Sequence, residues 1–185
     1  MAALNYLVDP YGMFDTTRIQ GVNAVKPAAG THVRLAKPYQ VIEYAPHAII
    51  SGNSRPEIGL NPANACWPAD YHPVFNLALP GADVYTQART LQHAIVGSDT
   101  RYVLWGLDFL DFLGRHASIR GPVRWPPGRT ELEDRLMVNA DGSENPDYIR
   151  KKLQDYIQSM FSLNTVKDSL ITLFGQADRH SASVR

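Results

Sequence analysis

Three short apolar runs in the first two-thirds of the chain end at turn-forming residues. The runs are Ala48 to Ser51, Val74 to Leu79 and Arg101 to Trp105, and they stop at Gly52, Pro80-Gly81 and Gly106. Runs of this length, bounded by Gly and Pro, are typical of buried strands. We therefore predict strands near residues 47–51, 74–79 and 101–106, with the first central or next to central.

An amphipathic pattern separates the second and third runs. Its apolar residues recur at spacings of four, three and four, at Val84, Ala88, Leu91 and Ile95, and Asp83 is a suitable N-cap. Strand, helix, strand in this order predicts a right-handed βαβ unit. Because the strands are apolar throughout, helices should cover both sheet faces. The predicted fold class is α/β, with a parallel sheet in three layers.

The remaining segments are assigned by their composition. Residues 1–40 mix Gly and Pro with short runs, which predicts an irregular lead-in with one helix near Val33–Tyr39, before a core region at 41–113. Residues 114–142 are rich in Gly, Pro and scattered arginines, which predicts a long, poorly ordered loop. Residues 143–176 predict a helical region, and 177–185 a polar tail.

Two helices are predicted within that helical region. The first opens at an Asn145-Pro146 cap and runs to about Phe161. The second runs from Asn164 to Phe174 and is closed by Gly175. Its apolar residues share one face: they are Leu163, Val166, Leu170 and Leu173.

Composition excludes several classes of protein. The 185 residues fit one domain, and 18 Lys and Arg against 18 Asp and Glu argue against a nucleic-acid binder. Cys66 alone forms neither an internal disulfide nor a cysteine zinc site, and we expect it to be partly buried. No apolar stretch approaches the roughly 20 residues of a membrane helix. We expect neither a metal nor a cofactor.

Polar residues and glycines follow the predicted strands. Ser54 comes after the first, Asn76 and Gly81 lie in and after the second, and Asp108 follows the third. In open α/β sheets, sites lie at the carboxyl ends of the strands. A serine in the Gly52-Asn53-Ser54 turn can project its hydroxyl there, beside backbone N–H groups that stabilise an oxyanion. The same serine can equally be a simple turn residue.

Three sequence blocks resemble a group of bacterial SGNH (GDSL-like) proteins, several of them membrane-anchored and linked to cell-surface polysaccharides. The blocks are Gly52-Asn53-Ser54-Arg55, Asn76-Leu77-Ala78-Leu79-Pro80-Gly81-Ala82 and Gly106-Leu107-Asp108-Phe109-Leu110. The resemblance covers most of the first two-thirds of the chain. It implies a flavodoxin-like or SGNH-type parallel sheet, here incomplete because relatives are usually longer at both ends. It also implies a membrane-tethered or cell-envelope parent protein.

The resemblance assigns roles to particular residues. Ser54 is the implied nucleophile, and Gly81 an oxyanion donor through its backbone N–H. Asp108 lies where many SGNH proteins have an asparagine, so it either binds substrate hydroxyls or holds Arg55. Asn53, Arg55 and Asn76 are the implied substrate contacts, although a structural ion pair is the favoured interpretation of Arg55.

The general base is the missing part of this site. SGNH enzymes supply it from a late Asp-x-x-His motif, and the late candidate here, Asp178-Arg179-His180, is one residue short. His116 lies in the predicted loop, and His47 and His72 precede strands. A serine hydroxyl without a base is a poor nucleophile. We therefore expect no convincing catalytic histidine in the chain.

Three functions remain open. The first is an SGNH-type esterase or O-acyltransferase acting on a carbohydrate or cell-surface polymer. The second is a non-catalytic binding or scaffolding module, or a truncated inactive fragment. In a binding module Trp105, Phe109 and Trp125 are candidates to stack on sugars, although core packing is favoured for Trp105 and Phe109. The third is a nucleotide-binding domain, disfavoured because no glycine-rich phosphate loop follows the first strand.

The expected partners follow from these functions. A carbohydrate or acyl ester is the expected substrate. Membrane contact is expected only through an N-terminal segment outside this sequence. Self-association is expected if an open sheet edge is left unpaired.

Overall fold

The structure is a computed structural model that describes residues 1–109 and 129–177, and it confirms the α/β class. The described residues contain three strands, β1 (Ala48–Gly52), β2 (Val74–Asn76) and β3 (Tyr102–Gly106). They contain seven α-helices: α1 (Ala2–Val8), α2 (Val33–Tyr44), α3 (Ser54–Gly59), α4 (Val84–Gly97), α5 (Arg129–Glu133), α6 (Tyr148–Phe161) and α7 (Leu163–Phe174). Three short 3-10 helices, Pro27–Thr31, Ala69–Tyr71 and Gly175–Ala177, complete the regular structure.

The sheet is parallel, with strand order β2-β1-β3. The predicted strand positions, the parallel pairing and the central place of the first strand are confirmed. β2 ends at Asn76, earlier than predicted, and the side chain of Asn76 accepts the N–H of Ala78. The chain nevertheless follows β1 further, since Leu77 and Leu79 donate to the carbonyls of Ile50 and Gly52 at 2.8 and 3.0 Å.

The chain divides into two compact units. The first combines Met1–Gln40 with Ile149–Arg185, and the second is Val41–Tyr148. The sheet belongs to the second unit together with α3, α4 and α5. The first unit holds α1, α7 and nearly all of α6, while α2 begins in the first unit and ends in the second.

Both faces of β1 are buried in the second unit. Ile49 packs with Val41, Leu77, Leu91 and Ala94 on one face, whereas Ile50 packs with Ala48 and Val74 on the other. Alternate strand residues point to opposite faces, so a strand that is apolar at every position needs cover on both.

Helix α4 confirms its predicted cap and, of the predicted apolar positions, buries Leu91 in the core but not Ile95. The carboxylate of Asp83 accepts the N–H of Thr86 at 2.8 Å. Ile95 is half-exposed, while several polar side chains are buried, among them Gln87, Arg89, Thr90 and His93.

The end of α5 and the segment after it supply hydrogen-bond partners for two of those buried side chains, Arg89 and His93. Arg89 donates to Glu133 at 2.8 Å and to the carbonyl of Val138 at 2.5 Å, and His93 Nδ1 accepts the N–H of Met137 at 2.9 Å. Leu136 is fully buried in the same segment. The prediction of a poorly ordered loop is therefore wrong for residues 132–138, four of which are buried. Residues 114–128 of that loop lie outside the described residues.

The N-terminal part of the chain contains more regular structure than predicted. Residues 2–8 form α1, and α2 extends the predicted helix to Tyr44. Between them, the buried carboxylate of Asp9 accepts the N–H of Met13 and pairs with Lys26 at 3.3 Å. Asn145 does not cap α6, because its side chain forms a turn with the N–H of Asp147 and the helix begins at Tyr148.

Helix α7 begins one residue earlier than predicted and is capped by Ser162, whose Oγ accepts the N–H of Asn164. Gly175 follows its last residue, as predicted. Within the described ranges, none of the helices combines the length and the apolar character needed to cross a membrane.

Tyr11 makes the stability of the first unit sensitive to alkaline pH. Its hydroxyl donates to Asp168 at 2.7 Å, and burial, followed by the contact with Asp168, raises the pKa of Tyr11 from 10.0 to about 12. Because the folded pKa lies above the unfolded one, this stabilisation is complete below pH 10 and is lost as the pH rises toward 12. We expect the free energy of unfolding of Tyr11→Phe, measured in urea, to fall less steeply across this window than that of the wild type. The exposed Tyr6→Phe is the control, and an unchanged slope in Tyr11→Phe would contradict the assignment.

Candidate functional site

The ends of the three strands converge at the carboxyl edge of the sheet. Gly52 pairs with Gly106, and its carbonyl accepts the N–H of Leu79. Gly52 has φ 146°, and a Cβ there would lie 2.6 Å from the Gly106 carbonyl oxygen and 2.3 Å from the ring of Pro56. Only glycine fits this close approach. It brings the turn that carries Ser54 against the end of β3.

Ser54 is the first residue of α3, where a turn was predicted. Asn53 caps this helix, since its Oδ1 accepts the N–H of Arg55 at 2.9 Å. The side chain of Ser54 is half-buried. Its hydroxyl has no hydrogen-bond partner among the described residues. The hydroxyl is thus available to a ligand at this edge.

Arg55 and Asp108 join the first and third strand ends. Arg55 Nη1 lies 2.7 Å from Asp108 Oδ2, and their side chains are 74% and 16% exposed. The interpretation of Arg55 as an ion-pair partner is confirmed. An ion pair this exposed contributes about 0–1 kcal/mol to stability, so its main effect is to orient the two side chains.

Gly81 lies in the turn after the second strand. Its φ is 65°, and a Cβ added there would meet no atom within 4 Å. Its N–H has no acceptor in the described part of the chain. Three positions before Gly81, the N–H of Ala78 donates to Asn76, and the N–H of Leu79 ties the same turn to Gly52. This backbone N–H therefore remains open to an acceptor from a ligand.

Asn76 uses its side chain to hold the Ser54 helix. Its Nδ2 lies within hydrogen-bond distance of the carbonyls of Pro56, Glu57 and Leu60, at 3.1, 3.3 and 2.9 Å. Its Oδ1 accepts the N–H of Ala78. The amide therefore ties α3 to β2, a role different from the predicted substrate contact. Asparagine is depleted in strands, which is the one sequence signal for such a role.

Gln87 is a further positioning residue, one that the sequence analysis missed. It is 1% exposed, its Nε2 donates to the carbonyl of Ala82, and its Oε1 accepts from Trp105 Nε1 at 2.8 Å. It thereby links the turn that contains Gly81 to the end of β3. Nothing in a helical Thr-Gln-Ala sequence distinguishes this glutamine from an exposed one.

The aromatic candidates separate in the structure. Trp105 packs against the core, as expected. Phe109 is 74% exposed beside Asp108, so the expectation of core packing is wrong for it. Cys66 is likewise exposed rather than partly buried. Trp125 lies outside the described residues.

None of the four described histidines is hydrogen-bonded to Ser54. His47 and His72 precede β1 and β2, so they lie at the amino edge, separated from Ser54 by the length of β1, about 16 Å. His93 is buried against Met137, and His32 stacks on Tyr11 in the first unit. His116 and the Asp178-Arg179-His180 motif lie outside the described residues.

Comparisons with protein-family models, with curated proteins and with solved structures found no match. Function is therefore inferred from the geometry of this edge. The resemblance to SGNH proteins stays a prediction from three sequence blocks.

Gly52→Ala should separate the strand ends. The added methyl group meets backbone on one side and a proline ring on the other, at a φ that disfavours any other residue. We expect it to lower the free energy of unfolding by about 3 kcal/mol, measured in urea. Gly81→Ala is the matched control, since its methyl group meets open space and costs about 1 kcal/mol for the positive φ alone. Equal losses in the two variants would contradict the close approach.

Asn76→Ala should loosen α3 without removing any site residue. It leaves the Pro56, Glu57 and Leu60 carbonyls without the Asn76 amide, which we expect to cost about 1–3 kcal/mol. Amide hydrogen exchange should accelerate across Ser54–Gly59. Asn61→Ala, which removes a single exposed cap to the Ala63 N–H, should leave that exchange unchanged. Unaltered protection in Asn76→Ala would show that the amide does not hold the helix.

Proposed function

We propose that this chain is an SGNH-type domain that processes an acyl ester on a carbohydrate or cell-surface polymer, as an esterase or O-acyltransferase. The observation that supports it is the position of the Ser54 hydroxyl. It has no partner among the described residues and lies at the edge where three parallel strand ends converge. Such edges are where α/β folds place their sites.

In the proposed acyl transfer, Ser54 and Gly81 have separate roles. Ser54 Oγ forms a bond to the acyl carbon, the carbonyl electron pair moves to oxygen, and the serine proton passes to a base. The N–H of Gly81 is the proposed donor to the oxyanion. When the tetrahedral intermediate collapses, the alcohol leaves with a proton and the acyl group stays on Ser54. Water or an acceptor hydroxyl then takes the acyl group.

Asp108 and Arg55 act together in this proposal. A lone carboxylate beside the oxyanion would repel it, and the Arg55 guanidinium 2.7 Å away offsets that charge. A carboxylate oxygen is an acceptor that suits substrate hydroxyl groups. We assign the pair to substrate binding rather than to bond making.

The charge of the second unit favours an uncharged ligand. Residues 41–148 carry eight Arg against thirteen Asp and Glu, a net charge of −5. This field attracts neutral or cationic groups in preference to polyanions. An ester on a neutral carbohydrate fits it better than an anionic polymer does.

The finer fold assignment is also a proposal. Burial of both faces of β1 supports the three-layer, flavodoxin-like arrangement of SGNH proteins. On β3, by contrast, Val103 and Leu104 are 42% and 45% exposed although they point to opposite faces. An edge strand of this kind favours association with another strand or another chain.

A non-catalytic binding module is the second candidate. It is favoured by one observation: none of the four described histidines is hydrogen-bonded to Ser54. In that case the exposed Phe109 ring offers a stacking surface for a sugar next to Asp108. The edge would then bind the same class of ligand without transferring its acyl group.

Ester hydrolysis by purified chain tests both candidates, with Ser54→Ala as control. General-base assistance contributes about 10²–10⁴-fold, so we expect little or no turnover of p-nitrophenyl acetate by the chain alone. Added imidazole should supply the base and raise the wild-type rate above that of Ser54→Ala. The background reaction of imidazole with the ester is the same for both proteins and cancels.

The other outcomes also discriminate. Equal rates for both proteins with and without imidazole would overturn the catalytic proposal and leave the binding module. Robust turnover without imidazole, abolished by Ser54→Ala, would support catalysis and show that a base is present. His180→Ala and His116→Ala would then identify it.

A further inference from the structure

Helix α7 is amphipathic, but its polar side chains are buried and its apolar side chains are exposed, the reverse of the usual arrangement. Its buried side chains are Thr165, Ser169 and Thr172. The apolar residues predicted to share one face include exposed ones, and four large side chains are between 42% and 82% exposed: Leu163, Leu170, Ile171 and Phe174. The helix thus turns its polar side inward and its apolar side outward.

Hydrogen bonds fix the orientation of α7 about its own axis. Ser169 Oγ donates to Oδ1 of Asn5, which is fully buried on α1, and Asn5 Nδ2 donates to the carbonyl of Met160 at 2.9 Å. Rotation of α7 to bury its leucines would leave these groups unpaired, at a cost typical of buried polar groups. The outward apolar side is therefore part of the folded state.

Helix α6 has the same inversion. Asp155 and Ser159 are 2% and 4% exposed, and the Tyr39 hydroxyl donates to Asp155 at 2.7 Å. The side chains at four-residue intervals are 49–69% exposed: Ile149, Leu153, Ile157 and Phe161. This stripe ends two residues before Leu163, where the apolar side of α7 begins.

Positive charge accompanies these apolar side chains. Residues 1–40 and 149–185 together carry ten Lys and Arg against five Asp, a net charge of +5, although the whole chain is neutral. Arg150, Lys151 and Lys152 follow one another near the start of α6. Lys151 pairs with Asp155 at 3.1 Å, and Lys152 lies over the ring of Tyr156. Contacts within the first unit therefore engage two of these three cations.

The apolar side of α7 forms one shallow groove, which we call the α7 face. It is lined by Leu163, Val166, Lys167, Leu170, Ile171 and Phe174. A single cation among large aliphatic and aromatic side chains is the pattern of an interfacial helix, whose lysine extends to the phosphate level while its apolar residues enter the acyl boundary.

We infer that the α7 face binds an anionic lipid surface. Charge complementarity favours lipid over a second copy of the chain, because a self-complementary contact would bring two units of charge +5 together. At 14 and 12 residues, α6 and α7 have the length to lie in the interface and not to span it. This contact differs from the N-terminal segment expected from the sequence, and it is independent of the Ser54 chemistry.

Vesicle co-sedimentation of the full chain tests the inference. We expect binding to vesicles of equal parts phosphatidylcholine and phosphatidylglycerol, and weak binding to phosphatidylcholine alone. Phe174→Ser should weaken it about tenfold, through loss of buried apolar area, and Lys167→Gln about fivefold on the anionic vesicles only. Phe109→Ser is the matched control, since this ring is similarly exposed but lies in the second unit, and it should leave binding unchanged.

Circular dichroism checks that Phe174→Ser is folded, as expected for a side chain 82% exposed. Absence of vesicle binding, equal binding to both vesicle types, or equal losses in Phe174→Ser and Phe109→Ser would each overturn the inference. Light scattering in the absence of lipid tests the alternative occupant of the α7 face, a second copy of the chain. A dimer that Phe174→Ser dissociates, together with no vesicle binding, would assign the α7 face to a second copy of the chain.

Discussion

Gly52 and Gly106 end neighbouring parallel strands, and their backbones approach so closely that a single methyl group on Gly52 would lie 2.6 Å from the opposite carbonyl oxygen. This contact sets the position of the turn after β1. Pro56 packs into the same space, and α3 therefore begins directly at the sheet edge. Ser54 and Arg55 owe their positions to it, as does the Arg55–Asp108 ion pair.

Two side-chain amides, the partly buried Asn76 and the buried Gln87, hold the strand ends that the glycine contact brings together. Asn76 ties the far end of α3 to β2, and Gln87 ties the turn after β2 to Trp105 on β3. Each amide connects segments at the ends of two different strands. Together they hold the three strand ends in place. Among the described residues, the Ser54 hydroxyl and the Gly81 N–H have no hydrogen-bond partner, which leaves both groups open to a ligand.

The sequence predicted those features that depend on local chemistry. Apolar runs bounded by Gly and Pro gave the strands, and the side chain of Asp83 gave a cap. Periodicity also found the apolar side of α7 but not its direction, because that is decided by a hydrogen bond between Asn5 and Ser169, 164 positions apart. At the site, Ser54 follows from its strand, whereas the roles of Asn76 and Gln87 depend on partners that no local pattern reveals.

The neutral composition of the chain conceals a division of charge between its units. The first unit is assembled from both ends of the sequence, so its charge of +5 becomes visible only when the fold joins residues 1–40 to residues 149–185. The second unit carries −5. An anionic surface attracts the first and repels the second within a Debye length, about 8 Å at physiological salt. The sign of the net charge therefore distinguishes the unit proposed to bind lipid from the unit that carries the candidate site.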